Sequence, residues 1–141
     1  MNASLSTIGR ALAAAILAIV LGAANDEHEQ GVPGLRDGGF AARGGEAVFR
    51  SICQGCHMPD AKGATGAGSY PALAADANLE AAAFPIVMVV QGRKAMPAFG
   101  PMLTDQQIAD VVNYIRTHFG NRYADTVNPD DVKEIRAISG G

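Results

Sequence analysis

Apolar residues recur at helical spacing in several stretches of the chain. The first repeat runs at steps of three and four residues through Gly45, Val48, Phe49 and Ile52. This spacing places the four residues on one face and predicts a helix that begins at Gly45 and leads directly into Cys53. After that point glycine and proline become frequent and the periodicity is lost, which predicts a loop.

The segment from Leu103 to Gly120 carries the strongest helix signals. Thr104 and Gln107 have the spacing of a capping box, and Gly120 provides the stop. The apolar stripe between them comprises Ile108, Val111, Val112, Ile115 and Phe119. We therefore predict an amphipathic helix packed on the core along this stripe.

Three further segments carry weaker signals. Ala74 to Ala83 is rich in alanine and predicts a short helix. Phe84 to Val90 is apolar throughout, so it suits either a buried strand or a helix; we favour a helix because no partner strand is evident. Asn128 and Pro129 resemble an N-cap and first helical residue, which predicts a short polar helix in the tail. That helix either packs on the domain or helps to dock a partner.

The N-terminal segment has the pattern of an export signal. Arg10 precedes an unbroken run of apolar or small residues from Ala11 to Ala24. This run is shorter than the roughly 20 residues that span a bilayer, but it suits a secretory signal cleaved before Asn25. An uncleaved anchor is the alternative. Residues 25–44 are rich in glycine and predict a flexible linker.

Composition limits the remaining possibilities. The chain has 141 residues and a net charge of −3, with no run of lysine or arginine, so nucleic-acid binding has no electrostatic support. We predict one packed domain at residues 45–124 and a polar tail at residues 125–141. Both cysteines of the chain lie in one short motif, so no disulfide framework is expected.

That motif, Cys53-Gln54-Gly55-Cys56-His57, has the spacing of a covalent attachment site for haem c. Each thiol would add across a haem vinyl group, and the imidazole of His57 would bind the iron. A thioredoxin-like dithiol would need a βαβ context, and a zinc site would need a second ligand pair. A disulfide would leave the histidine unexplained. Bacterial haem attachment takes place outside the inner membrane, which agrees with the export signal.

Met96 is the candidate for the second iron ligand. It lies beside Pro97 in a loop with little core-forming pattern, whereas Met88 lies in an apolar run and Met102 adjoins the final amphipathic helix, so both suit the core. Met58 directly follows His57 and would share its side of the ring. A thioether ligand favours ferrous iron and raises the reduction potential. A gap-filling methionine is the alternative for Met96.

These motifs together resemble the class I cytochromes c over residues from about 40 to 124. The resemblance rests on the cysteine motif, on Tyr70-Pro71-Ala72-Leu73, on Met96-Pro97 and on Tyr114-Ile115. It implies an all-α fold of three to five helices around one haem c. It also implies that Gly45 and Phe49 meet Tyr114 where two helices cross, and that the Pro71 carbonyl accepts from the His57 imidazole. Leu73 joins Pro71 among the predicted cofactor-binding residues.

The function predicted from these features is that of a periplasmic one-electron carrier rather than an enzyme. It would connect a dehydrogenase or respiratory complex with an acceptor such as a terminal oxidase, and would reach the membrane only through a partner or an uncleaved leader. The alternatives are a cytochrome subunit of a membrane-associated dehydrogenase, a haem enzyme or gas sensor with an open iron site, and, more remotely, a dithiol oxidoreductase. A flat docking rim is predicted from Ala61, Ala64, Ala67 and Ala98, with charge from Lys62, Arg93 and Lys94.

Overall fold

A computed structural model describes residues 35–36, 39–66 and 68–140 of the chain. The predicted export signal at residues 1–24 and most of the predicted linker at residues 25–44 lie outside these residues. None of the helices in the described ranges is long and apolar enough to cross a membrane.

The first helix occupies residues 45–57. It consists of α1 (Gly45–Val48), a π-helical segment (Phe49–Cys53) and α2 (Gln54–His57). The start at Gly45 agrees with the prediction, and the helix continues beyond Cys53 so that it contains the whole cysteine motif. It ends at Met58, whose φ of 67° is incompatible with a further helical turn.

The apolar run before the second loop forms α3 (Ala83–Gln91), so the predicted helix is confirmed and the strand alternative is wrong. Ile86, Val89 and Val90 are buried on one face of α3. The alanine-rich segment before it forms a single 3₁₀ turn (Ala77–Leu79) instead of the predicted helix. Of the residues in that turn only Leu79 is buried, and a short helix without an apolar face lacks the packing that would stabilise it.

The best-signalled helix is α4 (Asp105–Thr117), and its capping box is present. Gln107 N donates to Thr104 Oγ1 at 3.2 Å, and Thr104 N donates to Gln107 Oε1 at 2.9 Å. The Gln107 amide also donates to the Phe40 and Ala42 carbonyls, at 2.7 and 2.8 Å. The cap therefore fastens the chain before the first helix to the start of α4.

The first helix and α4 cross at Gly45. A Cβ atom on Gly45 would clash with the Asp110 carbonyl and lie 2.5 Å from Tyr114 Cβ. One turn along, the rings of Phe49 and Tyr114 pack with their centroids 5.7 Å apart. The helix crossing that the resemblance implies is thus present, and it depends on the absence of a side chain at Gly45.

Two short antiparallel ladders accompany the helices. Strand β1 (Leu35–Arg36) pairs with β2 (Gly39–Phe40), and β3 (Ala64–Thr65) pairs with β4 (Ser69–Tyr70). Each strand has two residues, so the ladders close loops and leave the helical architecture unchanged.

The tail forms α5 (Pro129–Ser139), which begins at the predicted cap residue Asn128. Val132 is fully buried and Val127 is 3% exposed, so the tail contributes to the core. Asn113 fastens the approach to α5, because its side chain donates to the Val127 carbonyl at 2.7 Å and accepts from Val127 N at 2.8 Å. Of the two interpretations of the tail, packing on the domain is the one that the structure shows.

Candidate cofactor site

The cysteine motif lies at the C-terminal end of the first helix. Cys53 is half-buried and packs against the core, whereas Cys56 is exposed. Burial raises the pKa of the Cys53 thiol from 9.0 to about 12, because desolvation disfavours the thiolate. A thiol oxidoreductase needs a nucleophilic thiol of lowered pKa, and Cys53 does not provide one.

His57 is buried and points at a neighbouring loop. Its Nδ1 lies 2.9 Å from the Pro71 carbonyl oxygen. A carbonyl can only accept, so Nδ1 carries the hydrogen and the Nε2 lone pair is left for a metal ion. This is the tautomer that a haem iron requires, and the motif therefore fits haem c. The contact that the resemblance implied between Pro71 and His57 is present.

Backbone contacts hold Pro71 against His57. Gly63 N donates to the His57 carbonyl at 3.0 Å, and Gly63 has a φ of +67°. A Cβ atom on Gly63 would clash with the Tyr70 carbonyl and lie 2.7 Å from the carbonyl carbon of Pro71. Only glycine therefore lets the two segments approach this closely.

Ala61 has a different role from the one predicted. It is fully buried, and its carbonyl accepts from Leu73 N at 2.7 Å and from Ala74 N at 2.9 Å. Its placement in a docking rim is therefore wrong, because burial removes it from any partner. Ala98 is exposed and Ala64 is half-buried, while Ala67 lies outside the described residues.

Leu73 is half-buried against the core, and a residue missed in the sequence secures it. Asn121 is 4% exposed, and its Nδ2 donates to the Leu73 carbonyl at 2.7 Å. Asn121 Oδ1 accepts from Asp76 N at 3.0 Å, and Tyr123 donates to the Asp76 carbonyl at 3.1 Å. The sequence signal is slight: an asparagine directly after Gly120, the predicted stop of a helix that in the structure already ends at Thr117.

The Met96 loop, defined here as residues 92–103, is tightly built. Arg93 and Met96 exchange two backbone hydrogen bonds of 2.9 Å, which close the turn. Gly92 has a φ of +69°, and a Cβ there would lie 2.5 Å from the Met96 carbonyl oxygen. Met96 is half-buried and packs against the same core as Cys53 and Leu73.

The other methionines are placed differently. Met102 is 41% exposed, so a core position for it is wrong, and Met88 is half-buried on α3. Within the described residues, no hydrogen bond joins the Met96 loop to the His57–Pro71 pair. The same part of the chain contains no cluster of three or more His, Cys, Asp or Glu side chains that would suit zinc.

The chain is similar to known cytochrome proteins. The family described as cytochrome c oxidase, cbb3-type, subunit III matches residues 40–115, more than half of the chain. The fructose dehydrogenase cytochrome subunit of Gluconobacter japonicus is 34% identical over 108 residues, which cover 66% of this chain and 22% of that protein. The cytochrome c subunit of the quinone alcohol dehydrogenase of Gluconobacter oxydans is 33% identical over 115 residues, or 72% and 23% of the two chains.

A shorter relative is cytochrome c6 of Rippkaea orientalis, which is 35% identical over 75 residues. That match covers 52% of this chain and 68% of the relative. By contrast, the chain spans less than a quarter of the length of either dehydrogenase subunit.

Proposed function

The chain belongs to the class I c-type cytochromes, within the family described as cytochrome c oxidase, cbb3-type, subunit III, and we propose that it carries single electrons on one haem c. When bound, the haem supplies a one-electron iron couple. The observation that carries the proposal is the 2.9 Å contact between His57 Nδ1 and the Pro71 carbonyl, beside two thiols on one helix. It leaves one ring nitrogen oriented and free to bind iron.

Cys53 and Cys56 attach the cofactor in this proposal. Each thiol adds across a vinyl group, so that a carbon–sulfur bond forms and the thiol hydrogen passes to the neighbouring vinyl carbon, with no oxidant consumed. His57 binds the iron through Nε2, and the Pro71 carbonyl increases the basicity of the ring. Met96 would supply a thioether to the iron, which would favour the ferrous state.

Haem retention under denaturing conditions tests the attachment. We expect the protein matured with haem to keep its colour on a denaturing gel, and the double variant Cys53→Ala/Cys56→Ala to lose it. His118→Ala is the matched control, because His118 is exposed at the end of α4. Loss of haem from the wild-type protein, or its retention by the double variant, would refute the attachment through these cysteines.

The proposed partners are a dehydrogenase as electron donor and an acceptor such as a terminal oxidase. The names of two relatives support a dehydrogenase, since both are cytochrome subunits of such enzymes. A free carrier is the second candidate, supported by the similarity to cytochrome c6. On a native gel, haem that co-migrates with sugar- or alcohol-dependent dye reduction would favour the subunit, and haem that migrates alone would favour the free carrier.

We further propose a periplasmic location, with residues 1–24 as a signal and residues 25–44 as a linker to the domain at residues 45–124. The Phe40 and Ala42 carbonyls at the end of this linker accept from Gln107 of the domain, and the tail at residues 125–141 packs on the same domain through Val127 and Val132. The support is the run from Ala11 to Ala24 after Arg10, together with the need to attach haem c outside the inner membrane. N-terminal sequencing of the mature protein checks this proposal. A chain that begins at Asn25 supports a cleaved signal, and one that retains Arg10 supports an anchor.

A further inference from the structure

Arg136 on α5 reaches the segment that follows Met96. Its Nη1 donates to the Gly100 carbonyl at 2.7 Å, and its Nη2 donates to the Leu103 carbonyl at 2.8 Å. Its Nε donates to Asp105 Oδ1 at 2.6 Å, so an anion balances the charge. One guanidinium therefore binds two carbonyl groups of the Met96 loop and a carboxylate at the start of α4.

The same end of the Met96 loop is also bound to α3. Phe99 N donates to the Val89 carbonyl at 2.9 Å, and Gly100 N donates to the Val90 carbonyl at 3.2 Å. A Cβ atom on Gly100 would lie 2.7 Å from the Val90 oxygen and 3.0 Å from Arg136 Nη1. Gly100 is thus clamped between the end of α3 and the guanidinium of α5.

The opposite end of the loop is fixed by the close approach of Gly92 to the Met96 carbonyl. Met96 consequently lies between two anchored ends, and one of them depends on the C-terminal helix. A planar guanidinium suits this anchor, because its fork can serve two carbonyls and a carboxylate at once, whereas a lysine ammonium cannot reproduce that arrangement.

We propose that Arg136 is a positioning residue for Met96, holding the Gly100–Leu103 end of the loop so that the thioether stays bound to ferric iron. The inference rests on the proposed function, since it takes Met96 as an axial ligand. It gives the C-terminal helix a part in the redox site although α5 contributes no ligand.

The test uses the full-length protein with haem attached. The readouts are the weak absorption band of methionine-bound ferric haem, the alkaline pH at which that band disappears, and the reduction potential. The variants are Arg136→Gln and Arg136→Lys. Lys133→Gln, an exposed residue of the same helix, controls for lost charge, and Val132→Ala controls for weaker packing of α5.

We expect Arg136→Gln to lose the band at a pH about one unit lower than the wild type. This shift corresponds to roughly tenfold weaker binding of Met96 to the iron, a change of the size expected when a hydrogen bond to a charged group is lost. The potential should fall, and Arg136→Lys should show a smaller change and serve as the comparison if the glutamine variant does not fold. Lys133→Gln should match the wild type, and Val132→Ala should lower the free energy of unfolding while leaving the midpoint of the band in place.

An unchanged midpoint and potential in both Arg136 variants would overturn the inference, and so would an equal shift in Val132→Ala. A different result identifies failure of the proposed function itself. In that case the wild type lacks the methionine band, or Met96→Ala retains it, whatever the residue at position 136.

Discussion

Gly63 allows the Pro71 segment to approach His57 closely because it has no side chain. We predict that Gly63→Ala displaces the Pro71 carbonyl from His57 Nδ1, because a Cβ would enter the space of the Tyr70 and Pro71 backbone. The imidazole would then be less basic, the ferric state less stabilised and the reduction potential higher. Redox titration measures this rise. Gly66→Ala is the control, since a Cβ there meets open space; equal potentials for the two variants would contradict the prediction.

Met88 and Met96, which are both half-buried, should respond differently to truncation. Met96→Ala should lower the reduction potential and open the iron to exogenous ligands, because it removes a soft sulfur ligand. Met88→Ala should leave the potential unchanged and cost about 1 kcal/mol of the free energy of unfolding, because Met88 is only half-buried on α3. Redox titration and urea unfolding distinguish the two, and an exchange of outcomes would move the ligand to Met88.

Arg116 shows what a sequence pattern misses at this scale. It lies in the last turn of α4, where positive charge is favoured, but its side chain is fully buried. It donates to the Leu79 carbonyl at 2.8 Å, to the Glu80 carbonyl at 2.9 Å and to Asp125 Oδ1 at 2.6 Å. These partners come from distant parts of the chain, so local spacing could not reveal them.

The Arg116–Asp125 pair predicts a pH dependence. The hydrogen bond from Arg116 holds the pKa of the Asp125 carboxyl below its ordinary value of 3.8. The stabilisation from this shift is therefore complete above pH 3.8 and is lost as the pH falls through the lowered folded-state pKa. Urea unfolding at several acidic pH values should show a shallower loss of stability in Asp125→Asn. Glu134→Gln, at an exposed position of α5, is the control, and identical acid profiles for Asp125→Asn and the wild type would disprove the linkage.

At the scale of elements, the crossing of the first helix with α4 depends on Gly45. We predict that Gly45→Ala costs about 1 to 3 kcal/mol of the free energy of unfolding, because the new methyl group would overpack the crossing at Asp110 and Tyr114. Gly55→Ala is the matched control in the same helix, where a Cβ meets nothing within 4 Å. Urea unfolding checks both, and equal stabilities would show that the crossing relaxes without cost.

The elements that were predicted correctly contain local sequence signals for their start or for their buried face. The start of α4 is specified by Thr104 and Gln107, and its buried face by residues at helical spacing. The segment from Ala74 to Ala83 carries helix propensity alone, and it forms only a 3₁₀ turn because its alanines bury little surface. The cap at Asn128 predicted the start of α5, whereas the core role of Val132 follows from tertiary packing.

At the scale of the whole molecule, the residues that would bind the cofactor were easier to predict than the contacts that hold those residues in place. Two thiols and an imidazole in one short motif indicate haem c by their spacing. The support comes from side chains that join remote segments, namely Asn121 to Leu73 and Arg136 to Gly100. Such contacts depend on how the helices pack, so no local pattern identifies them. The C-terminal helix is consequently part of the scaffold that surrounds the Met96 loop.

We propose a closed, six-coordinate haem c with His57 and Met96 as ligands, and a single absorption spectrum tests this proposal. The purified protein is reduced, exposed to carbon monoxide and compared with the same sample before exposure. We predict a c-type spectrum that carbon monoxide leaves unchanged in the wild-type protein, whereas Met96→Ala should bind the gas. Ready binding of carbon monoxide by the wild-type protein would contradict ligation by Met96 and favour an open-site haem enzyme or gas sensor.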